Sequence, residues 1–377
     1  RVEKVLFILT SRPGGENSGI ASLSAVRNAP QLTLKPMSLG ETRALVSQCL
    51  NAEVVPDTLV EIIQQRGGGN PFYSHELTLA LISMDLITSE GNECKLKVSS
   101  ETLSTIEIPE TIQGIVSSRI AQLNEAEQLT LKIASVAGQT FPAELILAVY
   151  PTRENMGKLK WRFNKLVERG FLEHVHSGGE NMYCFKQATT RETVYRVILF
   201  AQRRELHGAI AQWYESAKGD QLANYFSLIA HHWGEAGLTQ KVLGYLERAG
   251  ALAIEAGVMH EAVQIFEQVL KIAAENKKEL GRKALAGRYI YWHRFLCEAY
   301  FGLGDTEASE RHARLALRSI GRRLPSTSIG WWLVNNRSRW GRMLFGSEAA
   351  KDPERAQKFM NASLAANRLA ECFIHSR

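Results

Sequence analysis

Cysteine is scarce in this sequence, with five in 377 residues. Cys49, Cys94, Cys184, Cys297 and Cys372 lie far apart with no CxxC pair, which excludes a disulfide framework or a zinc ribbon and points to reduced thiols in a cytoplasmic protein. Long apolar runs are missing as well. No stretch approaches the roughly 20 residues that a helix needs to cross a bilayer, and the first residues lack the layout of a signal peptide. The net charge of +6 is modest and spread along the chain, so attraction to a polyanion must come from a local patch. Catalytic constellations are absent too: no Ser/His/Asp, Cys/His or paired-carboxylate set is forced together by spacing. Nor is there a Gly-x-x-x-x-Gly-Lys-Ser/Thr phosphate loop. The nearest imitation, Gly14-Gly15-Glu16-Asn17-Ser18-Gly19, lacks the lysine, and no apolar strand ending in paired acids precedes Val5.

What is present begins with Val5-Leu6-Phe7-Ile8-Leu9, an all-apolar run suited to a strand buried on both faces of a parallel sheet. It ends in Thr10-Ser11-Arg12-Pro13, and the carboxyl ends of such strands are where ligands sit. A hydroxyl and a guanidinium there can read a phosphate; the plainer alternative is a surface loop with a solvated arginine. The second feature is Gly67-Gly68-Gly69-Asn70-Pro71-Phe72-Tyr73, between the helical stretches Thr58–Arg66 and His75–Ile82. Glycine admits positive φ and close approach, while proline fixes φ and offers a flat apolar ring. Either a helix C-cap with a tight turn or a ligand contact satisfies that pattern. Ser38-Leu39-Gly40-Glu41 reads as a capping box and Asp57 as a helix cap, so residues 36–88 form a small helical layer.

Beyond a polar stretch with a short strand at Cys94–Val98, helical spacing returns at Ile112, Ile115, Val116, Ile120 and Leu123, and again from Asn124 to Gly138. Thr140-Phe141-Pro142 is expected to open a further helix, followed by Lys158–Arg169 closed by Gly170. Phe171–His176 and Met182–Lys186 flank a glycine turn and read as a hairpin. Lys158, Arg162, Lys165 and Arg169 fall at i, i+4, i+7 and i+11, one basic stripe on the helix before the hairpin. That is where winged-helix proteins place the helix that enters the major groove, although a charge stripe also suits a solvated face or an interdomain contact. From Leu222 the chain reads as helical. Gly237, Gly257 and Gly304 each separate two apolar helices, with small residues such as Ala230, Ala249, Ala253, Ala299 and Ala316 placed for close packing, as in tetratricopeptide-type hairpins. His207 and the adjacent pair His231-His232 read as packing residues rather than metal ligands. Trp331-Trp332 with Trp340 reads as a buried solenoid helix or a surface for a partner helix or membrane.

In this order the segments resemble the signal-transduction ATPases with numerous domains, in particular the AAA-like ATPase module fused to class III adenylate or guanylate cyclases. The resemblance covers nearly the whole chain. It implies a mainly α protein in four parts: the end of an α/β ATPase core (1–31), a helical lid (32–90), a winged-helix-like domain (106–218) and an α-solenoid of tetratricopeptide-like hairpins (222–377). It implies ATP or ADP as ligand, with magnesium held by residues outside this chain. Arg12, with Thr10 beside it, would then face the terminal phosphate, and Gly69 and Pro71 would belong to the lid turn whose proline packs against adenine. The chain would be the C-terminal part of a longer switch, cut inside its ATPase core and not catalytic alone. Its repeats would sense a protein partner and an upstream cyclase, or failing that a kinase, would respond. Phe185-Lys186-Gln187 departs from the family's Phe-x-His, and no chemistry is assigned to Gln187. The rival reading is a winged-helix DNA-binding regulator acting through Lys158, Arg162, Lys165 and Arg169.

Overall fold

The computed structural model describes residues 32–99, 102–103, 109, 111–177, 180–319 and a few positions between 357 and 368, which fall into two units, Arg1–Gln122 and Leu123–Arg377. The expected strand Val5–Leu9, with Thr10 and Arg12, lies outside the described residues, as do the tryptophan segment and the helix cap expected at Asp352-Pro353. The described residues are mainly helical, as the sequence predicts.

In the first unit, α1 (Leu39–Leu50) begins where the sequence places it. Ser38 accepts from the Glu41 amide while the Glu41 carboxylate accepts from the Ser38 amide, a reciprocal cap. The second helix, α2 (Asp57–Gly67), starts after Pro56 without a side-chain cap; Asp57 instead pairs with Arg43 of α1. The third, α3 (Pro71–Ser83), is capped by Asn70. Val46, Leu59, Val60, Ile63, Leu77 and Leu81 close the core between them, each burial contributing about 1.5–3 kcal/mol.

After α3 comes a hairpin, β1 (Ile87–Glu90) and β2 (Glu93–Leu96), paired antiparallel with Ile87 opposite Leu96. Sequence reading predicts the second strand, one residue late, and misses the first. Ile87 is the one β1 side chain that is buried, so the segment has no visible alternation. Next, α4 (Ile112–Ala121) packs in this unit against α3. The first unit ends at Gln122, whereas the sequence reading begins its winged-helix-like part at residue 106.

The second unit opens with α5 (Glu125–Ala137), β3 (Thr140–Pro142), α6 (Ala143–Val149), α7 (Met156–Glu168), β4 (Leu172–Ser177) and β5 (Glu180–Phe185). The three strands form one sheet in the order β3-β5-β4, with both pairings antiparallel. Thr140-Phe141-Pro142 opens a helix as expected, with Pro142 at the cap of α6, and in addition forms a strand that the sequence reading does not predict. Pairing opposite Tyr183 drives Phe141 into a cluster with Phe163, Tyr183 and Phe185, where the Phe163 and Tyr183 rings stack at 4.3 Å. Proline at the end of the strand is compatible, because it leads directly into α6.

Then follow α8 (Ala188–Arg196), α9 (Phe200–Ala217), a 3₁₀ turn, α10 (Phe226–Glu235), α11 (Thr239–Glu255), α12 (Met259–Glu275), the short α13 (Lys277–Leu280), α14 (Arg282–Gly302) and α15 (Thr306–Ser319). Gly237, Gly257 and Gly304 take φ of 77°, 77° and 79° at three of the turns, the left-handed region that glycine enters without cost. Two hairpins solve close packing in opposite ways. At Gly250 of α11 an added Cβ would lie 2.6 Å from the Phe266 ring of α12. The same position before the next turn glycine is Cys297, and the position matching Phe266 is Ala313. There Cys297 Sγ instead meets Ser309 Oγ at 3.3 Å.

Candidate functional site

The Gly-Asn-Pro turn joins α2 to α3. Gly68 ends α2 with φ 55° and its amide donates to Gln64 O, while Asn70 Oδ1 accepts from the amides of Phe72 and Tyr73. Pro71 occupies the first helical position, where its lack of an N–H costs nothing. Its ring is exposed on a turn fixed from both sides.

Gly69 is buried, with φ 73°. An added Cβ would lie 2.6 Å from Met37 O and 2.9 Å from Pro36 Cβ, and the Gly69 carbonyl accepts from the Met37 amide at 2.8 Å. The close approach that glycine permits is therefore used by the chain's own segment 36–37. Gly68, in contrast, has nothing within 4 Å of where a Cβ would stand.

Beneath the turn, α3 carries the polar core of this unit. Glu76 and Arg119 of α4 form an ion pair with both side chains 1% exposed, and His75 Nδ1 lies 3.3 Å from the other Glu76 oxygen. Burial pushes the Glu76 carboxyl up, but the His75 hydrogen bond and the Arg119 charge outweigh it and hold the group below its ordinary value. His75 is raised to about 9 by hydrogen bonds to Cys49 and Glu76. Nothing in the sequence outside this fold pairs residues 76 and 119.

The four cations of the predicted stripe, three on α7 and Arg169 at its C-cap, do not form one solvated row. Lys158 is exposed, but Arg162 is buried; it bonds Glu154 at 2.7 Å and the Tyr150 hydroxyl at 3.1 Å. Lys165 pairs with Glu168 at 2.7 Å and Arg169 with Glu127 at 3.8 Å. The outward face of α7 carries Trp161, 56% exposed, beside Lys158.

His207 and His232, on α9 and α10, face each other with Nδ1 atoms 2.8 Å apart, and His207 Nε2 lies 3.0 Å from the Tyr195 hydroxyl. A single proton lies between the facing Nδ1 atoms, so the two rings cannot both be charged, and burial, which lowers both pKa values, keeps them neutral. His232 Nε2 is buried without a hydrogen-bond partner. A bare lone pair there is the cheaper arrangement, which puts the shared proton on His232 and lets His207 donate to Tyr195 and Tyr195 to Glu235. A second pair, His293 and His312 on α14 and α15, repeats the contact at 3.0 Å. The sequence reading takes the histidines as packing residues but does not see the pairs. Among the described residues no group of three or more His, Cys, Asp or Glu is placed to hold a metal ion, and no helix is long and apolar enough to cross a membrane.

No family model matches the chain. It is 25% identical over 349 residues to an uncharacterized protein of Rhizobium meliloti (strain 1021), covering 88% of this chain and 32% of that protein. The chain thus spans about a third of the length of the curated relative it matches. Among solved structures it is similar, at 16% identity and a TM-score of 0.35, to a signal transduction ATPase with numerous domains carrying a tetratricopeptide repeat sensor, from Pyrococcus horikoshii. That likeness covers 77% of this chain and 42% of the other.

Proposed function

We propose that the chain is the lid and sensor portion of a nucleotide-dependent signal-transduction switch. In this reading ATP or ADP, with magnesium, is held mainly by a phosphate loop and acidic strand end outside these 377 residues. Arg12 and Thr10 serve the terminal phosphate, Pro71 lays its ring against adenine, and Gly69 keeps the turn seated. The segment α5 to β5 is a winged helix that braces the core, and the hairpins from α10 to α15 bind a protein partner. The output domain is a class III cyclase or, second, a protein kinase.

The observation that carries the reading is Pro71, an exposed apolar ring on a turn held rigid by Asn70 and Gly69. Such a ring loses little entropy on stacking a flat base. In this reading Pro71 offers a face for the base, and the sequence carries no phosphate-loop motif of its own. The pairing of Arg162, Lys165 and Arg169 with carboxylates disfavours the DNA-binding alternative, because paired cations release few counterions.

Fluorescent ATP binding to the natural full-length protein tests the proposal. Pro71→Ala and Arg12→Ala should each weaken it by about ten-fold, or about 1.4 kcal/mol. Wild-type affinity in both variants would show that the site is assigned wrongly.

A further inference from the structure

The segment 32–37 runs from the stretch carrying Thr10 and Arg12 to the start of α1, and it is not held by burial of its own apolar side chains. Leu32 and Leu34 are 85% and 86% exposed, and Pro36 is exposed as well. A relay of polar contacts fastens it instead. Thr42 of α1, fully buried, donates its hydroxyl hydrogen to Gln64 Oε1 of α2. Gln64 Nε2 donates to Met37 O at 2.8 Å, and the Met37 amide donates to Gly69 O at 2.8 Å. One side-chain amide thus ties α1, α2, the extended segment and the Gly-Asn-Pro turn into a single unit.

Burial settles the direction of the amide. Thr42 has its hydroxyl hydrogen to give and Met37 O has lone pairs to fill, so Gln64 fits with its oxygen toward α1 and its nitrogen toward Met37. Rotated by half a turn, it would leave the Met37 carbonyl facing an oxygen. The Met37 carbonyl and amide are therefore held at both ends, and Gly69 cannot carry a Cβ without expelling them.

We propose that Gln64 and Thr42 are positioning residues that set nucleotide affinity by seating segment 32–37 on the Gly-Asn-Pro turn. Neither touches the ligand. When the relay is closed, segment 32–37 and the turn that presents Pro71 are held as one body; when it opens, that turn loses its seat on Met37. Among the described residues few contacts fasten the segment, so a partner or an upstream domain needs little free energy to unseat it. This inference rests on the nucleotide-switch reading above.

The test uses the natural full-length protein with methylanthraniloyl-ADP as probe and amide hydrogen exchange of the peptide spanning Met37. Thr42→Val and Gln64→Leu, both close in size to the native residue, should speed exchange at Met37 and weaken the probe about five- to ten-fold. Thr42→Ser keeps the hydroxyl and should restore both. Faster exchange with unchanged affinity, or weaker binding with unchanged exchange, overturns the coupling alone. A wild-type protein that does not bind the probe overturns both this inference and the reading beneath it. Circular dichroism guards against loss of the fold, since neither variant removes a core apolar side chain.

Discussion

Two polar clusters, one in each unit, are buried in opposite electrostatic states, although the second unit also encloses the Arg162–Glu154 ion pair. In the first, α3 and α4 enclose a carboxylate, a guanidinium and a raised imidazole, so the interior is ionised. In the second, α9 with α10 and α14 with α15 enclose imidazole pairs that are neutral. An ion pair taken out of water costs desolvation on both sides and is specific because neither partner tolerates loss of the other. A neutral pair costs less to bury but fails as soon as either ring takes a proton. The first unit should therefore be fragile to substitution and to base, and the second to acid.

The largest effect expected is the acid response of the second unit. Burial first, then neighbouring charges, lowers His207 to about 4, His232 to about 3 and His293 to about 4, and His312 is lowered as well. The groups facing these rings are Tyr195, Arg203, His231 and Glu235 around the first pair, and Tyr300, Glu267 and Arg311 around the second. A folded pKa below the unfolded one means that the unfolded chain binds protons that the folded chain refuses. Stability is thus full above the unfolded value near 6.5 and falls as pH drops toward 4. Each imidazole contributes on the order of 1.4 kcal/mol per pH unit. Urea midpoints for residues 123–377 in the intact protein, followed by exchange, should fall steeply between pH 6.5 and 4. Replacing His207 and His232 together by Gln should flatten the slope, and an unchanged slope would remove the contrast between the units.

Next in size is Arg119→Met. Leaving Glu76 buried without its partner should cost the first unit about 3–5 kcal/mol. The double variant Glu76→Leu with Arg119→Met should recover most of it, because a packed apolar pair needs no compensation. Urea unfolding read from exchange in α3 checks both. Equal loss in the single and double variants would mean that the pair acts through shape rather than charge.

Local signals were legible where a chemical rule acts within a few residues. Ser38 with Glu41 caps the helix it predicts, the helix expected from Asn124 starts there under an Asn124–Glu127 capping box, and the turn glycines after α10, α11 and α14 take the left-handed conformation. What stayed hidden needed partners distant in sequence. Glu76 meets Arg119 across 43 positions and His207 meets His232 across 25. The adjacency of His231 and His232 drew attention to the wrong pair. The helix after Pro142 is legible, but the strand through Phe141 exists only because β5 is there to pair with it. Arg162 sits on the stripe by spacing, yet Tyr150 and Glu154 draw it inward. The triple glycine was recognised as permitting close approach, but the occupant, Met37, lies a helix pair away in sequence.

The smallest effect sharpens the contrast from the other side. His75 is raised to about 9, first by its hydrogen bond to Cys49 and then by Glu76. A folded pKa above the unfolded one contributes stability that is fully present below pH 6.5 and is lost as pH rises through 9. His75 keeps a solvent-facing edge, so the contribution is about 1–2 kcal/mol after screening. The stability gap between wild type and His75→Gln in the first unit should therefore be widest near pH 6 and nearly closed by pH 10. A gap that instead widens with pH would mean that His75 is held neutral, and the first unit would then share the electrostatic habit of the second.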